Sequence, residues 1–202
     1  MKTTEALDEM VKEFLRATPA SYAKRERRLP PPARVQWFDG YENDIIPYEH
    51  EMAPQNRPLS IAITAAERSS LSNCFEYDSH DLPQAVRRSD LSPSRFVTLI
   101  VRKAHTTTAF TFRVDGTPKP TRMSRVWLEG GRVVVAAQVT ERHRTVWTYR
   151  YEGSLVSSIQ AIKGTAPVPV TSTCSKTRVA PASPGRRHRM ARPSLPRSCR
   201  PL

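Results

Sequence analysis

The stretch TRMSRVWLEGGRVVVAAQVTERHRTVWTYRYEGSLVSSIQAI, residues 121–162, is typical of successive β-hairpins. Its apolar segments are rich in β-branched and aromatic residues, which favour extended strands. Gly130-Gly131 and Glu152-Gly153 interrupt these segments, and two-residue loops containing glycine build tight hairpin turns. The stretch therefore predicts consecutive antiparallel strands.

The same pattern begins further upstream. RFVTLIVRK (95–103) and TTTAFTFRV (106–114) are also rich in β-branched and aromatic residues, and Asp115-Gly116 follows them as a turn signal. Together these segments predict an antiparallel β-meander of five to six strands between about residues 95 and 163.

The N-terminal segment has helical rather than extended periodicity. Its apolar residues fall on one stripe at i, i+3, i+4, i+7 and i+8: Leu7, Met10, Val11, Phe14 and Leu15. We expect an amphipathic helix within residues 1–18, with Thr4 as its N-cap and an end at Thr18-Pro19. The basic, proline-rich residues 19–32 predict an extended linker. The helix either packs on the domain or serves as a detached partner-binding element.

Between the linker and the meander the signals are mixed. VQWF (35–38) and LSIAIT (59–64) predict short strands, whereas Thr64 and Glu67 have the spacing of a capping box. Short helices are expected over about 65–73 and 82–89. The fold class is therefore α+β, with an N-terminal helix, a mixed middle and a C-terminal meander, and residues 33–165 form one domain.

The C-terminal segment, residues 166–202, has a different composition. It contains seven prolines and no aromatic residue. Such a segment buries too little apolar area to offset its chain entropy, so we predict a disordered tail that is rich in Arg, Pro and Ser.

Charge is unevenly distributed along this chain, whose net charge is +13. Residues 33–90 carry five basic and ten acidic side chains, residues 91–165 carry twelve and four, and residues 166–202 carry eight and none. A cationic half of this size favours polyanionic partners. We therefore expect a non-enzymatic, nucleic-acid-associated protein that binds RNA or single-stranded DNA.

Two groups of residues are candidates for this binding. The tail provides a dense cluster of arginines, Arg186, Arg187, Arg189 and Arg192, which can neutralise phosphates. The meander interleaves arginines with aromatic rings such as Trp147, Tyr149 and Tyr151, as a stacking platform for bases requires. Its candidates are Arg113, Arg125, Trp127, Arg132, Arg142, Arg144 and Arg150. In the alternative interpretation, the aromatic rings pack the core and the arginines line the exposed face.

The acidic half contains two clusters of carboxylates near histidine, within residues 39–51 and 78–81. Neither has a recognisable metal-ligand spacing, so we predict no metal site, no cofactor and no catalytic residue. These acids could instead pair with the basic half and weaken its binding of nucleic acid. Three cysteines and no signal peptide or apolar run of membrane-spanning length predict an intracellular protein, cytoplasmic or, in a eukaryotic host, nuclear.

Two other function classes stay open. RRLPPPA (27–33) resembles a ligand of Src-homology-3 domains, with Ala33 in place of the final proline. Docking through residues 1–34 would suit a protein-interaction factor such as a viral accessory protein or inhibitor. VWTYRYEGSLVSSIQAI (146–162) resembles the last hairpin of ketosteroid-isomerase-like cone folds, which implies a small pocket enzyme. The oligomeric state is not indicated.

Overall fold

The computed structural model of the protein describes residues 3–39, 45–47, 61–165 and 173–175. In these described residues, two helices precede eleven strands and a short 3-10 turn at Ala65–Glu67. The helices are α1 (Thr3–Leu15) and α2 (Pro19–Glu26). The strands are β1 (Arg34–Asp39), β2 (Ile61–Ile63), β3 (Asn73–Tyr77), β4 (Pro83–Arg88), β5 (Phe96–Lys103), β6 (Thr106–Arg113), β7 (Lys119–Glu129), β8 (Arg132–Thr140), β9 (His143–Glu152), β10 (Leu155–Thr165) and β11 (Thr173–Ser175).

The described strands form one antiparallel sheet in the order β11-β10-β9-β8-β7-β6-β5-β4-β3-β1-β2. From β3 to β10, each strand pairs with the next one along the chain, so the predicted meander between residues 95 and 163 is confirmed as β5 to β10. Gly130 and Gly131 have φ of 55° and 77°, the positive values that a tight β7–β8 hairpin requires. The protein is mostly β, with helices at its N-terminus.

The two helices predicted in the middle of the chain are wrong. Thr64 and Glu67 do form the capping box, with the Thr64 N–H donating to Glu67 Oε2 at 2.8 Å, but the turn ends at Glu67. The residues that follow enter β3 and β4, where Gln84, Ala85 and Val86 are all buried. A strand buried on both faces has no apolar alternation, so its pattern is easily mistaken for that of a helix. Pro83 is tolerated because it is the first residue of its strand.

The prediction of an extended linker over residues 19–32 is also wrong for its first half, which forms α2. Thr18-Pro19 ends α1 and at once begins α2, because proline is favoured at the first position of a helix. Thr18 Oγ1 accepts from the Ser21 N–H at 3.2 Å, and Ser21 Oγ accepts from the Thr18 N–H at 2.8 Å. At the other end of the pair, α1 begins at Thr3, so Thr4 lies inside the helix.

The sheet is packed on both faces. We call the one beneath α1 and α2 the helix face. There Leu7, Met10 and Phe14 of α1 are buried against a cluster that includes Leu99, Phe110, Phe112, Met123, Ala137, Val139 and Val146. The helix therefore packs on the sheet, as one of the two alternatives predicted. The other face, which we call the far face, buries Val86, Ile100, Ala109, Val126, Ala136, Trp147 and Tyr149, with Ile45 and Ile46 packed against them.

Only three residues of the predicted tail are among those described. Thr173–Ser175 pair with Ala161, Ile162 and Lys163 of β10, so this short piece is a strand. The rest of the tail, and with it the prediction of disorder, lies outside the described residues.

Candidate nucleic-acid interface

The aromatic rings of the meander do not form an exposed stacking platform. Trp147 and Tyr149 are 7% and 5% exposed and belong to the core of the far face. The hydroxyl groups are also engaged, since Tyr149 donates to the carbonyl of Pro47 at 2.9 Å and Tyr151 donates to that of Val133 at 2.8 Å. The alternative interpretation, in which these rings pack the core, is confirmed for this part of the sheet.

Arg125 and Trp127, predicted as one stacking pair, lie on the helix face beneath α1. Arg125 donates to Glu13 Oε2 at 2.6 Å and to Thr108 Oγ1 at 2.9 Å, and its side chain is 17% exposed. Trp127 packs against the core cluster and lines a cleft of about 270 Å³ with Ala6 of α1. The docked helix covers part of the surface that this stacking pair requires, and the binding of nucleic acid by the two residues stays a prediction.

The five other predicted arginines of the sheet are dispersed. Arg113 is paired with Asp115 at 2.8 Å, and Arg132, at the opposite edge of the sheet, donates to the carbonyl of Gly153 at 2.5 Å. Arg150 is exposed, Arg142 is exposed in the β8–β9 turn, and Arg144 is 7% exposed. The tail candidates Arg186, Arg187, Arg189 and Arg192 lie outside the described residues.

The antiparallel order brings two of these arginines, Arg113 and Arg142, together with other basic residues at one end of the strands. At this end of the strands, β5, β7 and β9 begin and β6 and β8 end. The register connects them, since the Val114 N–H donates to the Arg95 carbonyl at 2.8 Å, Arg113 pairs with Lys119, and Arg122 pairs with Thr140. We call this end of the sheet, where the strands meet their turns, the basic rim. It is formed by Arg95, Arg113, Lys119, Arg122, Arg142 and His143.

The basic rim carries an excess of positive charge. Its acidic members are Asp115, which pairs with Arg113, and Glu141. Within the described part of the chain, no ion pair involves the exposed side chains of Arg95, Lys119 or Arg142. Arg95 and Lys119 are not distinguished by the pattern of strand faces, so they were not predicted. Both lie just before or at the start of a strand, beside turns that an antiparallel meander brings to the same end of the sheet.

The acids of the first half of the chain do not neutralise this rim where the structure describes them. Asp81 pairs with Arg34 at 2.6 Å and Asp90 with Arg68 at 3.7 Å. Asp39 Oδ1 accepts hydrogen bonds from Ser69 and Ser72, both at 3.0 Å. The remaining carboxylates of the acidic cluster, between residues 42 and 51, lie outside the described residues.

A second group of charges joins the helices to the sheet. Arg87 is held between Glu76 at 2.6 Å and Glu26 at 2.9 Å. Burial opposes ionisation of Arg87, but these two carboxylates outweigh it and raise its pKa above the ordinary value. Burial and the bond to Glu26 raise the pKa of Tyr22 to about 12. These charges are paired with each other, so they stabilise the docking of α2 and offer no charge to a ligand.

The proline motif is fixed at both of its ends. Leu29 packs against the core of the helix face, and the Pro30 carbonyl accepts from Gln84 Nε2 at 2.9 Å. The Ala33 N–H donates to the Tyr77 carbonyl at 2.8 Å. The leucine that a Src-homology-3 ligand would present is therefore packed inside the protein, and docking of a protein partner through residues 1–34 stays a prediction.

Three features of the described part of the structure bear on enzyme chemistry. No three His, Cys, Asp or Glu side chains within residues 3–39, 45–47, 61–165 and 173–175 lie close enough together to hold a metal ion. Burial, followed by the nearby charge of Glu76, raises the pKa of the Cys74 thiol, which disfavours its reactive thiolate. The cleft at Trp127 contains His105 and Glu129 but is otherwise lined by apolar residues.

The helices α1 and α2 have 13 and 8 residues, and neither is long and apolar enough to cross a membrane. The described part of the chain contains no helix longer than α1.

No family model, curated protein or solved structure matches this chain.

Proposed function

We propose that the protein binds the phosphodiester backbone of RNA or single-stranded DNA along the basic rim, without catalysing a reaction. The observation that carries the proposal is the group of exposed cations at one edge of the sheet, of which Arg95, Lys119 and Arg142 have no acidic partner in the described chain. Cations free of internal partners can neutralise phosphates and release condensed counterions.

The dimensions of the rim suit a nucleic-acid strand. From β5 to β9 the sheet spans four strand spacings, or roughly 19 Å. At about 3.4 Å per phosphate along one strand, this length corresponds to five or six phosphates. Because Trp147 and Tyr149 of β9 are buried, binding rests on charge and backbone contacts and has little preference for base sequence.

The C-terminal segment supplies a second group of cations. β10 ends at Thr165, which pairs with His143 of the rim, and β11 pairs back along β10, so the basic residues of the tail all follow β11. Residues 166–202 carry eight basic and no acidic side chains, which provide further contacts to phosphates. The rim then orients the strand, and the tail adds affinity that depends strongly on salt.

The experiment is a salt titration of binding to a fluorescein-labelled single-stranded RNA. The test variant is Arg95→Ala/Lys119→Ala/Arg142→Ala. The matched control, Lys24→Ala/Arg28→Ala/Lys103→Ala, removes the same charge from exposed residues away from the rim. Each lost phosphate contact reduces the steepness of log K against log salt by about 0.7 on a single strand, so the rim variant is expected to lose about 2 and the control close to none.

Two results contradict the proposal. If the wild-type protein does not bind the RNA at 20 mM salt, the protein is not a nucleic-acid binder. If both triple variants lower the slope equally, binding follows the net charge and the rim has no special role. Partners recovered after nuclease treatment would in that case favour a protein-interaction factor.

A further inference from the structure

Arg144 is an unusual residue for the interior of a sheet. It is 7% exposed, and its Nε is fully enclosed without a hydrogen-bond partner. Within the described chain, no carboxylate forms an ion pair with it. A guanidinium stays charged at neutral pH. Only its Nε is among the enclosed atoms without a partner, so its terminal nitrogens are open to an anion.

The register places open space beside this cation. Arg144 pairs with Val139 of β8 on one side and with Gly164 of β10 on the other, so all three lie on the helix face. A Cβ atom added at Gly164 would meet no heavy atom within 4 Å. The side-chain position next to Arg144 in the register is therefore open space.

The position of this space also suits an anion. Arg144 follows Arg142 and His143 of the basic rim directly, and Gly164 precedes Thr165, the last residue of β10. The space consequently lies at the end of the sheet where the cations are concentrated, next to a rim that attracts anions over longer distances.

We infer that Arg144 and the space over Gly164 form a binding recess for one phosphate group. Arginine presents its donors in a planar fork that matches phosphate oxygens, and such charge-assisted bonds are among the strongest in proteins. The inference deepens the proposed function, because a phosphate of bound nucleic acid is one source of the ligand and free inorganic phosphate is the other.

The test uses thermal unfolding of the full chain in sodium phosphate, against sodium chloride of equal ionic strength. Binding raises Tm by roughly 5–10 °C at 100 times Kd for a protein of this size. Arg144→Met is expected to lose this increment and, without phosphate, to be at least as stable as the wild type, since an apolar side chain replaces a buried charge. Arg150→Met is the matched control, because Arg150 lies on the same face of the same strand but is exposed.

A second variant tests the space while keeping the charge. Gly164 is not among the glycines with positive φ, and valine favours strands, so Gly164→Val is expected to fold and to abolish the phosphate increment with Arg144 intact. If Arg144→Met and Gly164→Val both keep the wild-type increase in Tm, the increase is the general stabilisation of folded proteins by phosphate. The proposed phosphate site then does not exist.

The source of the phosphate follows from RNA binding by the same variants. If Arg144→Met weakens RNA binding several-fold more than Arg150→Met does, the recess holds a backbone phosphate. If the two weaken it equally while the phosphate increment still needs Arg144, the recess holds the free ion. A protein that fails to bind RNA but keeps an Arg144-dependent phosphate increment would reject the proposed function and retain the recess. RNA binding with no such increment would retain the function and reject the recess.

Discussion

Arg125 of β7 and Glu13 of α1, 112 residues apart, are joined by a hydrogen bond of 2.6 Å. Glu13 also accepts from Arg25 of α2 at 3.0 Å, and the Arg25 guanidinium lies 4.0 Å from the centre of the Phe110 ring. One carboxylate thus connects both helices to the sheet. This contact explains why the cationic side chain predicted to bind nucleic acid at Arg125 supports the fold instead.

Replacing Glu13 by glutamine is expected to destabilise the protein. The change leaves Arg125, whose side chain is 17% exposed, without its charged partner. Because Glu13 itself is 38% exposed, solvent screens part of the effect, and we expect a loss of about 1–2 kcal/mol in the free energy of unfolding. Urea denaturation measures it, with Glu9→Gln as a control on the exposed side of α1. Equal midpoints for the two variants would contradict this role.

The contribution of Glu13 is expected to disappear in acid. Burial opposes its ionisation, but the hydrogen bonds and charges of Arg125 and Arg25 outweigh burial and hold its pKa below 4.5. A lowered pKa in the folded state means that the stabilisation is complete above pH 4.5 and is lost as pH falls through the folded-state value. The difference in urea midpoint between wild type and Glu13→Gln should therefore be constant from pH 7 to 5 and shrink below 4.5. A difference in urea midpoint that grows as the pH falls below 4.5 would contradict this prediction.

The docking of α1 is expected to depend on Met10. Its side chain is fully buried in the helix-face core, whereas Leu15 in the same helix is 71% exposed. Met10→Ala leaves a cavity and should cost about 2–5 kcal/mol in the free energy of unfolding, while Leu15→Ala should cost less than about 0.5 kcal/mol. Thermal or urea unfolding compares the two. If both variants are as stable as the wild type, α1 does not pack on the sheet in solution.

The tail arginines are expected to contribute to RNA binding by charge. Replacing Arg186, Arg187, Arg189 and Arg192 by serine should reduce the steepness of log K against log salt by roughly 3, or about 0.7 for each lost contact on a single strand. Replacing the same four by lysine keeps the charge and should preserve the slope. Fluorescence anisotropy over a salt series measures both. An unchanged slope in the serine variant would remove the tail from the interface.

The β7–β8 hairpin is expected to need glycine at residue 131. Gly131 has a φ of 77°, where an L-residue is strained by about 1–2 kcal/mol, although a Cβ there meets no atom within 4 Å. Gly116 has the same open surroundings without a positive φ. Gly131→Ala should lower the free energy of unfolding by about 1 kcal/mol and Gly116→Ala should be nearly neutral. Equal costs would mean that the turn does not hold this geometry.

Much of the meander could be predicted because its signals are local. Gly130-Gly131 and the β-branched residues around them specify a turn and two strands without reference to the rest of the chain. β4 could not be recognised in the same way. Gln84, Ala85 and Val86 are buried because chain from elsewhere covers both faces of the strand, so the alternation that marks a half-exposed strand is absent.

The sequence predicted that the candidate site is positively charged but not which residues form it. The excess of basic residues after residue 91 is a property of composition, and among the arginines that it pointed to, Arg142 is exposed in the β8–β9 turn. Which arginines stay accessible depends on what packs above them. Arg125 is covered by α1 and Arg144 is buried, whereas Arg95 and Lys119, which no face pattern distinguishes, are exposed at the rim.

By itself, the sequence determined the strands of the meander, their turns and the basic character of the C-terminal half, because turn geometry, β-branching and charge act between residues close along the chain. Only the tertiary structure decided which sheet face the helices cover and which cations meet at one edge. Those outcomes depend on pairs such as Glu13 and Arg125, or Arg144 and Gly164, whose proximity follows from burial and strand register over long distances in sequence.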